Sequence, residues 1–184
     1  MLIRQRLQNL TRLARLVSAL FFLALPAAAI AQSTRPLPKI EKTGSQYRFL
    51  VDGSPYLMLS GQVHNSDTAN ADDLNKALDV LAGWHANTAE VPIYWEAIES
   101  QPGKFDFSSV DMAIQAARKR DLRLVFLWFG TWKNGESHYV PEWVKRDKQK
   151  YTRVIGSRGE ETEIISPLCR AAMEADSRAF AAVL

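Results

Sequence analysis

An α/β fold built on a parallel sheet is what this sequence predicts, on three observations. Apolar runs of strand length alternate with segments of helical period, one later run is almost wholly apolar, and aromatic, amide and carboxylate residues gather where the runs end. Strand and helix alternating at this spacing specify βαβ units. A nearly pure apolar strand, Leu122 to Phe129, is expected where crossover helices cover both faces of the sheet.

Taken in order, residues 1–31 stand apart from the fold. Arg4, Arg6, Arg12 and Arg15 precede the uncharged run Leu16 to Leu25, and Ala29-Ile30-Ala31 offers small residues at its end, so a secretory signal peptide cut after Ala31 is expected. The run is shorter than the ~20 residues of a spanning helix, and Pro26 breaks it. The mature chain is thus expected in the periplasm, off the membrane. Residues 32–46 are expected to be a linker, since Gln32 to Lys39 holds two prolines and no periodic pattern.

From residue 47 the domain begins. Tyr47 to Val51 and Tyr56 to Ser60 are strand-like and flank Asp52-Gly53-Ser54-Pro55, a hairpin signal leading into the first sheet strand. After Gly61-Gln62-Val63-His64-Asn65, Leu74, Ala77, Leu78 and Leu81 mark the first crossover helix, with Asn70 or Asp72 to cap it and Gly83 to loosen its end. A strand over Thr88 to Ile93 follows, then a helix from Ser109 with Val110, Ala113, Ile114 and Ala117 on one face. Ser108 and Asp111 have the spacing of a capping box. Beyond the third strand, a short helix starts at Pro141, a polar excursion covers Gly156 to Thr162, and a last helix runs from Ala171 to Leu184.

A doubly wound sheet shares this alternation. No Gly-x-Gly-x-x-Gly or phosphate loop follows the first strand, however, whereas the later loops are long and rich in Trp, Tyr, Glu and Asn. The expectation is therefore a (β/α)8 TIM barrel of which residues 47–184 form the N-terminal part, about three βα units against the ~250 residues of a whole barrel.

Charge and cysteine usage exclude other classes. Of 23 basic residues four lie in the signal, which has no acid, so the remainder faces 20 acidic residues at a formal −1 and no nucleic-acid partner is implied. Lys145 to Lys150 is expected to be a solvated helix face. Cys169, the one cysteine, can form no intrachain disulfide and is expected to be a buried thiol rather than a catalytic one. The three histidines have no metal-ligand spacing, and neither a metal nor a cofactor is expected. His85 is expected to pack between a helix end and a strand.

Asn87-Thr88, Trp95, Glu99 and Pro102-Gly103-Lys104-Phe105-Asp106-Phe107 occur in the order Asn-Thr strand, Trp, Glu, Pro-Gly-x-aromatic-Asp-Phe. This pattern resembles the second strand-and-loop unit of clan-A glycoside hydrolases, above all the family 35 β-galactosidases and the related family 42. Pro141-Glu142-Trp143-Val144 is similar to a Pro-x-Trp-Leu that follows the third strand in family 35. The resemblance implies an enzyme that removes terminal β-galactosyl units from an oligo- or polysaccharide with retention, in carbohydrate catabolism, and the signal pattern adds the expectation that it is exported.

Such enzymes use two carboxyl groups ~5–5.5 Å apart. In the resembled families these come from the fourth and seventh strands, and the acid/base Glu follows an Asn; no Asn-Glu pair occurs here. No residue of this chain is accordingly assigned as catalytic, Glu96 and Glu99 included. The residues implied as the sugar-binding wall are Gln62, His64 and Asn65 after strand one, Tyr94, Trp95 and Glu96 after strand two, and Trp132 and Asn134 after strand three. An aromatic plate suits the C–H face of a sugar, and amides and carboxylates suit its hydroxyls. Pro92 stands where family 35 usually has a substrate-contacting Tyr, and Asn65 where it has another Tyr. Another clan-A glycosidase and a noncatalytic carbohydrate-binding or vestigial fragment therefore stand as alternatives.

Overall fold

The computed structural model describes residues 35–184; the expected signal segment and its cleavage point lie outside the described residues. Two compact units divide between Leu57 and Met58.

The first unit is an antiparallel sheet of β1 (Lys39–Thr43), β2 (Gln46–Val51) and β3 (Ser54–Pro55). Asp52 and Gly53 turn β2 into β3 with φ of 52° and 78°, the left-handed pair that a two-residue hairpin loop demands. The hairpin is as expected, but two expectations around it fail. The returning strand is two residues long rather than reaching Ser60. Lys39–Thr43, assigned to a linker, is a strand pairing with Gln46–Val51. Its exposed, mainly charged side chains carry no core signal, so main-chain pairing alone makes it a strand.

The second unit holds a parallel sheet of β4 (Ser60–Gln62), β5 (Thr88–Tyr94) and β6 (Arg123–Phe129) in that spatial order. Between β4 and β5 runs α1 (Ala71–Gly83); between β5 and β6 run the single-turn α2 (Trp95–Ile98) and then α3 (Ser108–Arg118). Leu74, Leu78 and Leu81 of α1 and Ala113, Ala116 and Ala117 of α3 pack on Ala89 and Val91 of β5. Each fully buried leucine contributes roughly 1.5–3 kcal/mol. Asn70 caps α1, its Oδ1 accepting from Asp73 N–H at 2.9 Å. Arg120, just past α3, bonds Asp79 of α1 at 2.7 Å and holds that carboxyl below its ordinary range.

Some local signals are reassigned. The Ser108–Asp111 capping box is replaced by Asp106, whose Oδ1 accepts from Ser108 N–H at 2.8 Å; that hydrogen bond lowers its pKa. His85 is exposed and takes φ 58° to end α1, so it turns the chain rather than packing. β6 is less buried than its composition suggests, with Leu124 to Trp128 all partly exposed, because among the described residues it pairs with β5 alone, while β5 lies between two neighbours.

After β6 come α4 (Glu142–Arg146), the antiparallel pair β7 (Arg153–Ile155) and β8 (Glu161–Ile165), and α5 (Arg170–Val183). The polar excursion is thus largely the turn and flank of a hairpin. α4 stops at Arg146, so only part of the basic run is helical. Trp95, Val140, Val144, Tyr151, Ile165, Cys169 and the small residues of α5 form a second core. No helix among the described residues is long and apolar enough to cross a membrane.

Candidate functional site

The sheet has a helix-facing side and an opposite side, and strand alternation sorts the residues between them. Ala89, Val91 and Ile93 of β5 and Leu124, Phe126 and Trp128 of β6 pack toward the helical cores. Val63, just after β4, joins the same core, and no room exists for a Cβ on Gly61 beside Leu81. The opposite side therefore carries Gln62; Thr88, Glu90, Pro92 and Tyr94; and Val125, Leu127 and Phe129. Register places Gln62 beside Glu90, Glu90 beside Val125, and Tyr94 beside Phe129.

At the carboxyl ends of these strands an aromatic group assembles. Tyr94 stacks on Tyr139 with centroids 5.1 Å apart and planes 13° apart; Phe129 lies 5.9 Å from Tyr94 and 4.9 Å from Tyr139. Lys133 Nζ sits 4.4 Å over the Phe129 ring. The Tyr94 hydroxyl donates to the Asn65 carbonyl, joining the β4 loop to the end of β5. Burial raises the Tyr94 pKa above the ordinary tyrosine value. Glu96 N–H donates to Tyr139 O at 3.0 Å, and the Glu96 carboxylate pairs with Lys145 at 3.1 Å.

His64 is exposed; its N–H donates to Asp67 Oδ2 at 2.7 Å, and its Nδ1 lies 3.0 Å from Ser66 Oγ. Tyr94 and Asn65 are thus brought together, with Gln62 and His64 at the end of the neighbouring strand. A cleft of about 410 Å3 beside Lys145 is lined by Glu136, His138, Glu142 and Glu163, among others.

Three expected contacts are placed differently. Trp95 is 0% exposed; its ring packs edge-on to Trp143 at 5.8 Å and its indole N–H donates to Glu99 Oε2 at 2.8 Å, so it is a core residue and not a sugar plate. α2 begins directly after β5, and that helical start turns the side chain inward. Asn134 takes φ 55° and Gly135 φ 80° in a tight turn closed by Lys133 and Glu136, whose backbone bonds are 2.8 and 3.0 Å. Asn-Gly is the residue pair such a turn prefers, so the turn was legible in the sequence, and Asn134 sits at its exposed tip. Trp132 is half-buried and donates its indole N–H to Ile165 O at 2.9 Å.

Glu99 is 3% exposed, accepting from the Trp95 indole on one oxygen and from Gly103 N–H at 2.7 Å on the other. It is a buried loop anchor. Glu90 and Tyr139 were missed by the sequence reading, and Phe129, 2% exposed, backs the aromatic group from the core. Counting back in twos from Tyr94 reaches Glu90, so that one was within reach; Tyr139 had no such signal. Among the described residues no group of His, Cys, Asp and Glu is arranged to hold a metal ion.

No family model matches the chain. Over 101 residues, 53% of its length, it is 41% identical to a β-galactosidase of Xanthomonas manihotis, of which it spans 15%. Among solved structures it is similar to the exo-β-1,4-mannosidase Op5Man5 from Opitutaceae bacterium strain TAV5, at 21% identity and a TM-score of 0.43 over 50% of this chain and 18% of that one. An endogalactoceramidase aligns at 20% identity and a TM-score of 0.40 over 79% of this chain and 36% of that one. The chain is thus similar in sequence to a β-galactosidase across about half its length, as the Asn87 to Phe107 pattern had implied.

Proposed function

We propose that these residues form part of the sugar-binding wall of an exported, retaining glycoside hydrolase of the β-galactosidase type. The observation that carries this reading is the 41% identity over 101 residues with the β-galactosidase of X. manihotis. The sequential parallel strands β4, β5 and β6, with polar and aromatic groups at their carboxyl ends, support it, and we take them as the opening strands of a (β/α)8 barrel. In this reading the partly exposed Tyr94 and Tyr139, backed by the buried Phe129, receive the apolar face of the sugar, while Gln62, His64 and Glu90 meet its hydroxyls.

The catalytic carboxyl pair of this proposal lies outside these residues. Glu99 has both oxygens occupied by indole and backbone donors, and Glu96 is paired with Lys145. Export rests on the signal pattern of residues 1–31, and mass spectrometry of exported protein retaining Met1 to Ala31 would remove it. For the site, β-galactosides and their gluco-configured counterparts are titrated into the chain and its Gln62→Ala and Glu90→Gln variants, with circular dichroism as the folding control. Preference for the galactoside and roughly tenfold losses in both variants are expected. Equal binding of both sugars would overturn the galactosyl assignment, and unchanged affinity in the variants would overturn the site. No release of nitrophenol from the aryl β-galactoside is expected; release would bring catalysis within these residues, with Glu96 the first carboxylate to mutate.

A further inference from the structure

A second concave surface shares no residue with the strand-end group. It is a cleft of about 580 Å3 between the loop that follows α2, the α4 segment and α5, within the size range of small-ligand sites. Phe105, 40% exposed, the half-buried Trp143 and the buried Tyr151 supply aromatic surface. Lys150 and Arg178 line the same cleft, Lys150 with its ammonium 5.1 Å from the Tyr151 ring. Neither cation makes an ion pair among the described residues.

The two acids in the cleft, Glu99 and Asp147, form an ion pair with neither cation. Glu99 is spent on the Trp95 indole and Gly103 N–H, and Asp147 closes a turn by accepting from Lys150 N–H at 3.0 Å. Two uncommitted cations beside aromatic surface match a ligand with an apolar ring face and a carboxylate on the same ring. We propose that this cleft binds an acidic saccharide, with a uronate carboxylate held by Lys150 and Arg178 and the ring lying on Trp143 and Phe105. The choice of a sugar over another ring rests on the glycosidase reading, whereas the choice of a carboxylate rests on Lys150 and Arg178, which line the cleft and pair with no acid among the described residues. Guanidinium and ammonium bonds to a carboxylate are charge-assisted and among the stronger polar contacts.

The test is calorimetric titration of the whole chain with digalacturonate, with neutral galactobiose and with benzoate. Digalacturonate is expected to bind roughly tenfold or more tightly than galactobiose, and Lys150→Ala and Arg178→Ala are each expected to weaken it by about tenfold. Both side chains lie on the surface, so the variants keep the fold, and Arg118→Ala, outside the cleft, removes the same charge without effect. Arg178→Lys retains more affinity than Arg178→Ala. Absent binding, equal affinity for the neutral disaccharide, or indifference to both alanine variants overturns the proposal; benzoate binding as tightly overturns the saccharide part. Failure of the strand-end reading shows separately, as galactoside affinity that Gln62→Ala and Glu90→Gln leave unchanged.

Discussion

Two carboxylates in this molecule do the same job by different routes. Glu99 accepts an indole N–H from Trp95 and a backbone N–H from Gly103; Asp176 of α5 accepts the indole N–H of Trp128 at 2.6 Å, Thr131 N–H at 2.7 Å and the Thr131 hydroxyl at 2.6 Å. Each pins the chain just beyond a sheet strand. Glu99 reaches partners four residues away on either side, whereas those of Asp176 lie 45 and 48 residues back. The local clamp is buried and completes itself within one loop. The distant one is half-buried and exists only when α5 docks against the end of β6. A carboxylate near a strand end is therefore not catalytic by position alone, since both of these hold loops in place.

The comparison predicts a hierarchy of losses, each readable by urea unfolding of the chain. Glu99→Ala leaves the Trp95 indole donor unpaired in a dry core and frees the Gly103 N–H at its edge, and is expected to cost about 3 kcal/mol. Asp176→Ala removes three bonds, but water reaches part of the site, so about 2 kcal/mol is expected, together with faster amide exchange at Thr131. A larger loss for Asp176→Ala than for Glu99→Ala would reverse the ranking of the two clamps.

The glycine beside each clamp sharpens the contrast. A Cβ on Gly130 would collide with the Asp176 carboxylate and the Trp128 indole, so Gly130→Ala should cost about 1–2 kcal/mol and speed exchange at Thr131 alone. Gly103 has φ 72° with open space around its Cβ position, so Gly103→Ala should cost about 1 kcal/mol through backbone strain. Equal exchange effects at both loops would show that the clamps are coupled rather than separate.

The smallest effect is one of pH. Burial raises the Tyr94 pKa above the unfolded value of 10.0, so the folded state holds the phenolic proton more tightly. The stability this contributes is fully present below the unfolded pKa and is lost as pH rises through the folded one. Unfolding midpoints measured up the alkaline range should fall for the native chain and fall less steeply for Tyr94→Phe. Identical slopes would mean that the Tyr94 hydroxyl at the end of β5 is wetter than its burial implies.

Much of the fold was legible because its cause is local. The periodicity of Leu74, Leu78 and Leu81 defines α1, the apolar run of β5 defines a strand, and Asp52-Gly53 defines a hairpin. These follow from side-chain spacing and backbone sterics, which neighbours in sequence fix. The site was less legible. Trp95 and Trp132 were both plausible sugar plates by residue type, and only the α2 turn and the β8 carbonyl show that one is core and the other tied to a hairpin.

By itself, then, the sequence determined the alternation of strands and helices, the tight turns, and the resemblance to glycosidases carried by Asn87 to Phe107. Tertiary structure alone decided which aromatic residues face one another across Tyr94, Phe129 and Tyr139, which carboxylates are spent as clamps, and how far β6 is buried. The reason is one of range: hydrogen bonding to a partner 45 residues away, and burial at a sheet edge, depend on which segments dock, and spacing along one chain does not encode that directly.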